Sequence, residues 1–363
     1  MISENKHIAI LCSRLDLPGG IERAVVNTAN LFAEKGNKIS LIILDMTDKS
    51  FYPIHLSIQI IQQPLSFGIT PKGNVISRKI KLLSDVLKLK QIIKNCNPDV
   101  VICSEYPFTV AAVLARTKKY ARLYSWEHHH HAWLQKNKFW TFLCKQAYPK
   151  LNGIICLNKT EADYYKNIAP SFIIPNYIKN KTGERSSCTN KTILSVGWLI
   201  PRKGIDLMLQ TAKEVLAKHP DWKWKLIGEG EMKEQVLQFI QTENLQGRLI
   251  LQAPVNAVIS KEYLNASIYV MSSRFEAFPM VLLEAMSAGV PCISFDCPSG
   301  PSDIISNNVD GFLVEKENTD KLTEAISLLI KDEEKRKQMG ENAFKNINRY
   351  SPDSIYELWK QLF

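Results

Sequence analysis

Short apolar runs alternate with longer segments whose apolar residues recur at helical spacing. HIAILC (7–12), KISLIIL (38–44), DVVICS (99–104), RLYSW (122–126), GIICL (153–157) and SFIIPN (171–176) predict strands in the first half, with a further one over 57–62. Residues 192–196, 222–227, 248–252, 268–271, 290–295 and 311–314 predict strands in the second. Helices are expected between them. Over 21–35, Ala24, Val25, Thr28, Leu31 and Phe32 share a face. Over 76–94, Ile80, Leu83, Leu87 and Ile92/Ile93 form the apolar side, and Arg78, Lys79, Lys81, Lys88, Lys90 and Lys94 supply the rest. A last amphipathic helix is expected over 351–363, with Ser351 as its cap. Strand–helix alternation with short connections predicts an α/β chain of doubly wound parallel sheets. The rhythm breaks at 178–191, IKNKTGERSSCTNK, which is polar, aperiodic and expected to be a linker.

One unit, residues 268–300, breaks the pattern. An apolar strand, a polar turn (272–276), Pro279 and the apolar segment Met280 to Met286 predict strand, loop and helix, stopped at Gly289. Glu284 lies inside that apolar helix and Glu276 in the loop before it. Ligands of parallel sheets sit at the carboxyl ends of strands, facing helix amino ends, so both carboxylates are candidates for a ligand site.

A chain of 363 residues suggests two domains. No apolar run approaches the ~20 residues of a membrane span, and the amino terminus has neither the basic nor the long apolar region of a signal peptide. Eight cysteines form no CxxC pair, and buried free thiols are expected. The net charge of +10 is uneven: residues 1–180 carry 24 Lys and Arg against 12 Asp and Glu, residues 181–363 carry 22 against 24. A basic half invites nucleic acid, an anionic membrane surface or an anionic ligand. No nucleic-acid module is present.

The strand over 122–126 runs into Glu127-His128-His129-His130-His131. Adjacent histidines alternate direction in extended backbone, and no further Cys, His or Asp has ligand spacing with them, so no metal site is expected. A solvated loop is one reading. The other sets a histidine with Glu127 in a cleft, as polar catalytic or sugar-binding groups.

In the second half three loops leave strand ends together. They carry Arg202 and Lys203, the turn Gly228-Glu229-Gly230, and Glu276 through Pro279. Cations beside helix amino ends suit a diphosphate, and carboxylates suit a ribose diol and sugar hydroxyls. Each part alone reads equally well as surface charge. Together they suggest a site for a nucleotide-diphosphate sugar.

These residues resemble a known family. Glu276-Ala-Phe-Pro-Met-Val-Leu-Leu-Glu284 followed by Ala-Met-Ser-Ala-Gly-Val-Pro, with Gly19-Gly20-Ile-Glu-Arg, Pro175-Asn176, Gly197 to Gly204, Gly228-Glu-Gly230, Gly300-Pro301-Ser-Asp-Ile-Ile and Asp310-Gly311-Phe312, is similar to the retaining GT-B glycosyltransferases of family four. The resemblance spans nearly the whole chain. It implies two Rossmann-like domains facing a cleft: residues 1–180 binding the acceptor, residues 181–349 binding the nucleotide-sugar, and a helix over 350–363 crossing back to the first. By position it assigns Glu284 to the ribose hydroxyls and Glu276 to the transferred hexose. The backbone of Ala277, Phe278, Pro279 and Met280 falls to sugar and phosphates, Lys203 with Arg202 to the diphosphate, and Gly20 and Gly228 to donor-binding loops. His128 falls near the anomeric carbon, with Glu127 and His129 on the acceptor side. Two positions depart: Trp198 stands where the family usually has Arg, and Ala253 where glycine is common.

The implied reaction is α-glycosyl transfer with retention and without a metal or other cofactor. The implied donor is a nucleotide-diphosphate sugar, expected to be UDP-linked; the implied acceptor is a saccharide or lipid-linked saccharide of bacterial surface glycans. The implied location is the cytoplasm or the inner face of the cytoplasmic membrane. A nucleotide-sugar 2-epimerase of the same fold and a non-catalytic nucleotide-sugar-binding subunit are the alternatives.

Overall fold

The computed structural model describes residues 5–17, 19–45, 49–67, 75–132, 134–179, 183–254 and 256–363, without the side chains of residues 75, 76 and 256–260. The chain divides into two compact units, one of residues 1–175 with 356–363, the other of residues 176–355.

In the first unit the elements run β1 (His7–Cys12), α1 (Gly20–Glu34), β2 (Lys38–Ile43), β3 (Gln59–Gln62), α2 (Val75–Cys96), β4 (Val100–Cys103), α3 (Tyr106–Leu114), β5 (Arg122–Glu127), α4 (Lys138–Ala147), β6 (Gly153–Cys156), α5 (Lys159–Tyr165) and β7 (Ser171–Ile173). The seven strands pair in parallel in the order 3-2-1-4-5-6-7. In the second unit they run β8 (Thr192–Val196), α6 (Ile205–Lys218), β9 (Lys223–Ile227), α7 (Lys233–Thr242), β10 (Leu249–Gln252), α8 (Asn256–Asn265), β11 (Ile268–Met271), α9 (Met280–Ser287), β12 (Cys292–Phe295), α10 (Pro301–Ile304), β13 (Gly311–Val314), α11 (Thr319–Lys331) and α12 (Glu333–Asn346). Six parallel strands take the order 10-9-8-11-12-13. Both sheets are doubly wound. In each, the strand order reverses once, between β1 and β4 and between β8 and β11, which opens a crevice at the carboxyl edge there.

The apolar runs became strands because helices cover both faces of a parallel sheet, so whole strands such as β4 and β12 are buried. The face of α1 is as expected, with Ala24, Val25, Thr28, Leu31 and Phe32 buried. Helix α2 buries Ile93 as expected but turns the earlier part of the expected row outward. Ile80, Leu83 and Leu87 are 63%, 64% and 66% exposed, while Val86, Leu89 and Ile93 are buried. Both rows have helical spacing, so periodicity alone does not choose between them. Asp85 accompanies the buried row because its Oδ2 accepts the backbone N–H groups of Ser66 and Phe67 at 3.1 and 3.0 Å, which satisfies a carboxylate with no exposure.

The polar stretch over 183–191 does not hang free. Ser186 Oγ donates to the carbonyl of Ala266 at 2.5 Å, and Cys188 is buried with its carbonyl accepting from Arg336 Nε at 2.8 Å. The eight cysteines are free. The last helix, α13 (Pro352–Lys360), has Ser351 Oγ accepting the N–H of Ser354. Its end belongs to the first unit. Trp359, 1% exposed, packs edge-on against Phe32 and Trp126, each at 5.2 Å, and Asn37 Nδ2 donates to Tyr356 Oη at 2.8 Å.

Trp359→Ala empties a fully buried aromatic site and should cost about 3–5 kcal/mol. Hydrogen exchange is the check. Amides of β1 and β5 should lose protection while those of β8 and β11 keep theirs; equal loss in both sheets would contradict the division into units.

Candidate active site

At the carboxyl edge of the second sheet, three loops interlock. After β8 the chain makes a 3₁₀ turn over Pro201–Lys203 and enters α6 through Gly204. Gly204 has φ +62°, and a Cβ there would lie 2.0 Å from the carbonyl oxygen of Ser272, so only glycine lets the loops after β8 and β11 touch. Gly228, after β9, is equally constrained: its Cβ would fall 2.1 Å from the carbonyl oxygen of Gly197. Gly228 therefore shapes the site through packing.

Arg274 ties the same loops by charge. Its guanidinium meets both carboxylate oxygens of Asp206 at 2.8 and 2.7 Å and the carbonyl of Pro201 at 2.8 Å, and its backbone N–H donates to the carbonyl of Arg202 at 2.9 Å. That fork holds the Asp206 carboxyl below the usual carboxylate range.

Within this frame Lys203 Nζ meets Glu276 Oε1 at 2.5 Å, and Ser273 Oγ donates to the same oxygen at 2.7 Å. Ser299 Oγ holds the carbonyl of Glu276 at 2.7 Å. Helix α9 begins after Pro279, which takes the cap position, and no side chain caps its amino end. Such an end presents backbone N–H groups to an anion. Phe278 is buried edge-on against Tyr350, so only the backbone of this residue borders the loop. Glu284, one turn further along α9, accepts from the Tyr263 hydroxyl at 2.7 Å. Lys203, Glu276 and Glu284 are each partly buried. Trp198, at the position of the usual Arg, is 48% exposed.

The first unit has its own carboxyl edge. Gly20 opens α1, and a Cβ there would meet open space. Glu127 is 4% exposed, and its Oε1 accepts from Ser125 Oγ at 2.6 Å and Tyr148 Oη at 2.5 Å. Its carboxylate is turned into the sheet because two buried hydroxyls need an acceptor. His128 is buried against Trp126, and its Nε2 has no partner. Burial, helped by His129, depresses its pKa to about 3, so the ring is neutral. His129 is only partly buried. His130 and His131 turn toward Glu161: His131 Nδ1 lies 3.0 Å and His130 Nε2 3.7 Å from Oε1. The two rings stack at 22°, which keeps their nitrogen lone pairs in nearly parallel planes. With Glu161 they form a group whose possible ligand atoms all lie within 4.8 Å of one another, so the three could hold a cation.

Sequence reasoning passed over a further pair. Ser13, just after β1, donates to Glu105 Oε1 at 2.8 Å, just after β4. The two bracket the point where strand order reverses. Burial pushes the Glu105 carboxyl upward, and Glu22 in the first turn of α1 likewise. The sheet order was the missing signal; no motif marks these residues. Arg274 and Tyr263 were missed for the same reason.

Two family models match in tandem: Glycosyltransferase Family 4 over residues 18–179, and Glycosyl transferases group 1 over residues 178–346. The chain belongs to the family-four GT-B glycosyltransferases. It is therefore a transferase enzyme, which leaves the epimerase and non-catalytic alternatives without support. An uncharacterized glycosyltransferase of Haemophilus influenzae is 28% identical, covering 98% of this chain and 99% of that protein. The amylovoran biosynthesis glycosyltransferase AmsD of Erwinia amylovora is 26% identical, covering 98% and 99%. Among solved structures, a mutant of S. aureus TarM in complex with fondaparinux, alpha-GlcNAc-glycerol and UDP superposes with a TM-score of 0.78 at 18% identity, over 98% of this chain and 99% of that one. That likeness shows the shared GT-B fold.

The neutral His128 has a measurable cost in acid. Between its ordinary pKa of 6.5 and about 3, the unfolded chain takes a proton that the folded ring refuses, so stability falls as pH drops through that window. Against His128→Phe, the wild type should lose stability from about pH 6.5 down to about pH 4, measured by urea unfolding. A constant difference over that range would contradict a buried neutral ring.

Proposed function

We propose that this glycosyltransferase moves a hexose or N-acetylhexosamine from a UDP-sugar to a saccharide or lipid-linked saccharide in bacterial surface-glycan synthesis, with retention at the anomeric carbon. The observation that carries the reading is the junction of Lys203, Glu276 and the uncapped end of α9 on adjoining loops, with Glu284 one turn further on. Lys203 and the α9 N–H groups receive the diphosphate, with Arg202 beside them. Glu284, set by Tyr263, holds the ribose diol, and Glu276 the hexose hydroxyls. Gly20 leaves room for the donor phosphate beside α1.

On the acceptor side His128 offers an unpartnered ring nitrogen, with His129 next to it, and Glu105 offers a carboxylate oriented by Ser13. Glu127 supports that edge from below. The bond from the anomeric carbon to the phosphate oxygen breaks, and the acceptor oxygen bonds to the same face. The acceptor proton passes to the departing phosphate, which acts as base. Lys203 and the α9 dipole neutralise the leaving diphosphate, so the step needs no metal or other cofactor.

No helix among the described residues is long and apolar enough to cross a membrane. Peripheral contact fits the excess of basic residues in 1–180 and the exposed row Ile80, Leu83 and Leu87 of α2, which Lys79 and Lys88 accompany. Both suit a lipid-diphosphate acceptor held at the inner face of the cytoplasmic membrane.

Transfer from a panel of UDP- and GDP-sugars, with the anomeric configuration of the product read by NMR, tests this reading. The α-linked product should form from a UDP donor. Glu276→Ala and Lys203→Ala should each lose roughly a hundredfold or more in kcat while still folding cooperatively, with a melting temperature only a few degrees lower. Full turnover in either variant, or an inverted product, would contradict it.

A further inference from the structure

A second cationic feature lies at the other edge of the first sheet. Chain entering β5 and chain leaving the 3₁₀ turn over Tyr148–Lys150 border an open pocket of about 310 Å³, lined by Val113, Arg116, Lys118, Lys119, Leu123 and Lys150. Leu123 is the second residue of β5, so the pocket opens at the amino edge of the sheet. His128 and Glu105 lie at the carboxyl edge. The pocket is thus remote, within its own unit, from the proposed acceptor residues.

Its chemistry is one-sided. Four of the six lining residues are cations and none is acidic. Elsewhere surface lysines of this chain are commonly paired, as Lys159 with Asp163 or Lys191 with Asp221. Arg116, Lys118, Lys119 and Lys150 form no ion pair among the described residues; Lys118 Nζ instead donates to the backbone carbonyl of Leu151 at 3.3 Å. All four are exposed, and together they concentrate positive potential at this pocket. Arg116 adds strain. It sits at φ +58°, left-handed backbone that disfavours a long side chain, where it leads into the 3₁₀ turn carrying Lys118 and Lys119. The floor, Val113 and Leu123, is apolar and lowers the local dielectric, which strengthens attraction for an anion.

We propose that this pocket is a binding site for a phosphate group, whose charge complements the four cations. Free phosphate and the headgroup phosphate of an anionic lipid share this recognition chemistry. None of its lining residues belongs to the donor-binding loops or to the exposed row of α2.

Two arms test it on the full chain. One titrates inorganic phosphate and pyrophosphate and follows amide shifts of residues 113–123 by NMR. The other sediments the protein with vesicles of phosphatidylcholine, with and without phosphatidylglycerol. The variant is R116Q/K118Q/K119Q/K150Q, with K118Q/K119Q as a milder second. The control, K213Q/K218Q/K316Q/K321Q, removes the same charge from the second unit. Wild type should bind in at least one arm, and the four-site variant should bind roughly tenfold or more weakly there, while the control and UDP binding are unchanged. Binding in the phosphate arm alone assigns a soluble ligand; binding in the vesicle arm alone assigns a lipid headgroup. No binding by wild type in either arm, or equal losses in the variant and the control, would overturn the proposal.

Discussion

The contact between Lys203 and Glu276 is the constraint on which the second unit's edge depends. The two residues stand 73 positions apart and meet at 2.5 Å, partly shielded from water. A shielded pair of this kind gains little net stability, because desolvation offsets much of the attraction. Its value lies in position. For these side chains to touch, the loops after β8 and β11 must press together, and that requires Gly204 against Ser272, the Arg274 fork on Asp206, and Ser273 and Ser299 on Glu276. In the proposed reading, a diphosphate reaching Lys203 would compete with Glu276 for the ammonium and free the carboxylate for sugar hydroxyls.

The first unit shows a contrasting use of charge. Its buried carboxylates are satisfied by local donors: Asp85 by two backbone N–H groups, Glu127 by two hydroxyls, Glu161 by His131. Among the described residues, three buried side-chain atoms of this unit have no hydrogen-bond partner: Thr117 Oγ1, Trp126 Nε1 and His128 Nε2. His128 Nε2 is buried and bare, and it stays neutral because burial penalises the charged ring. A neutral imidazole can accept or donate a hydrogen bond without bringing a charge to that edge of the sheet. The last helix then completes this unit, with Trp359 closing the core over Phe32 and Trp126.

Much of this was legible in the chain itself. Buried parallel strands read as continuous apolar runs, so both sheets could be located, and the Glu276-to-Glu284 stretch identified the family. What failed had physical causes. Helix α2 carries two apolar rows of equal periodicity, and packing against the sheet, which no local pattern encodes, selected Val86 and Leu89 over Ile80, Leu83 and Leu87. Glu127 looked available next to a histidine run, but Ser125 and Tyr148, two and twenty-one residues away, claim it. Ser13 and Glu105, ninety-two residues apart, meet only because β1 and β4 are neighbours. Arg274 and Tyr263 act through partners that folding alone brings near.

The claim that joins these features is that the edge of the second sheet holds a uridine diphosphate through Glu284 and Lys203. Calorimetric titration of UDP into the wild type and Glu284→Ala tests it most directly. The account predicts saturable one-site binding by the wild type and a weakening of roughly tenfold to a hundredfold in the variant, the loss of charged hydrogen bonds to a diol, with the melting temperature of the free protein little changed. UDP bound equally well by both proteins would contradict it.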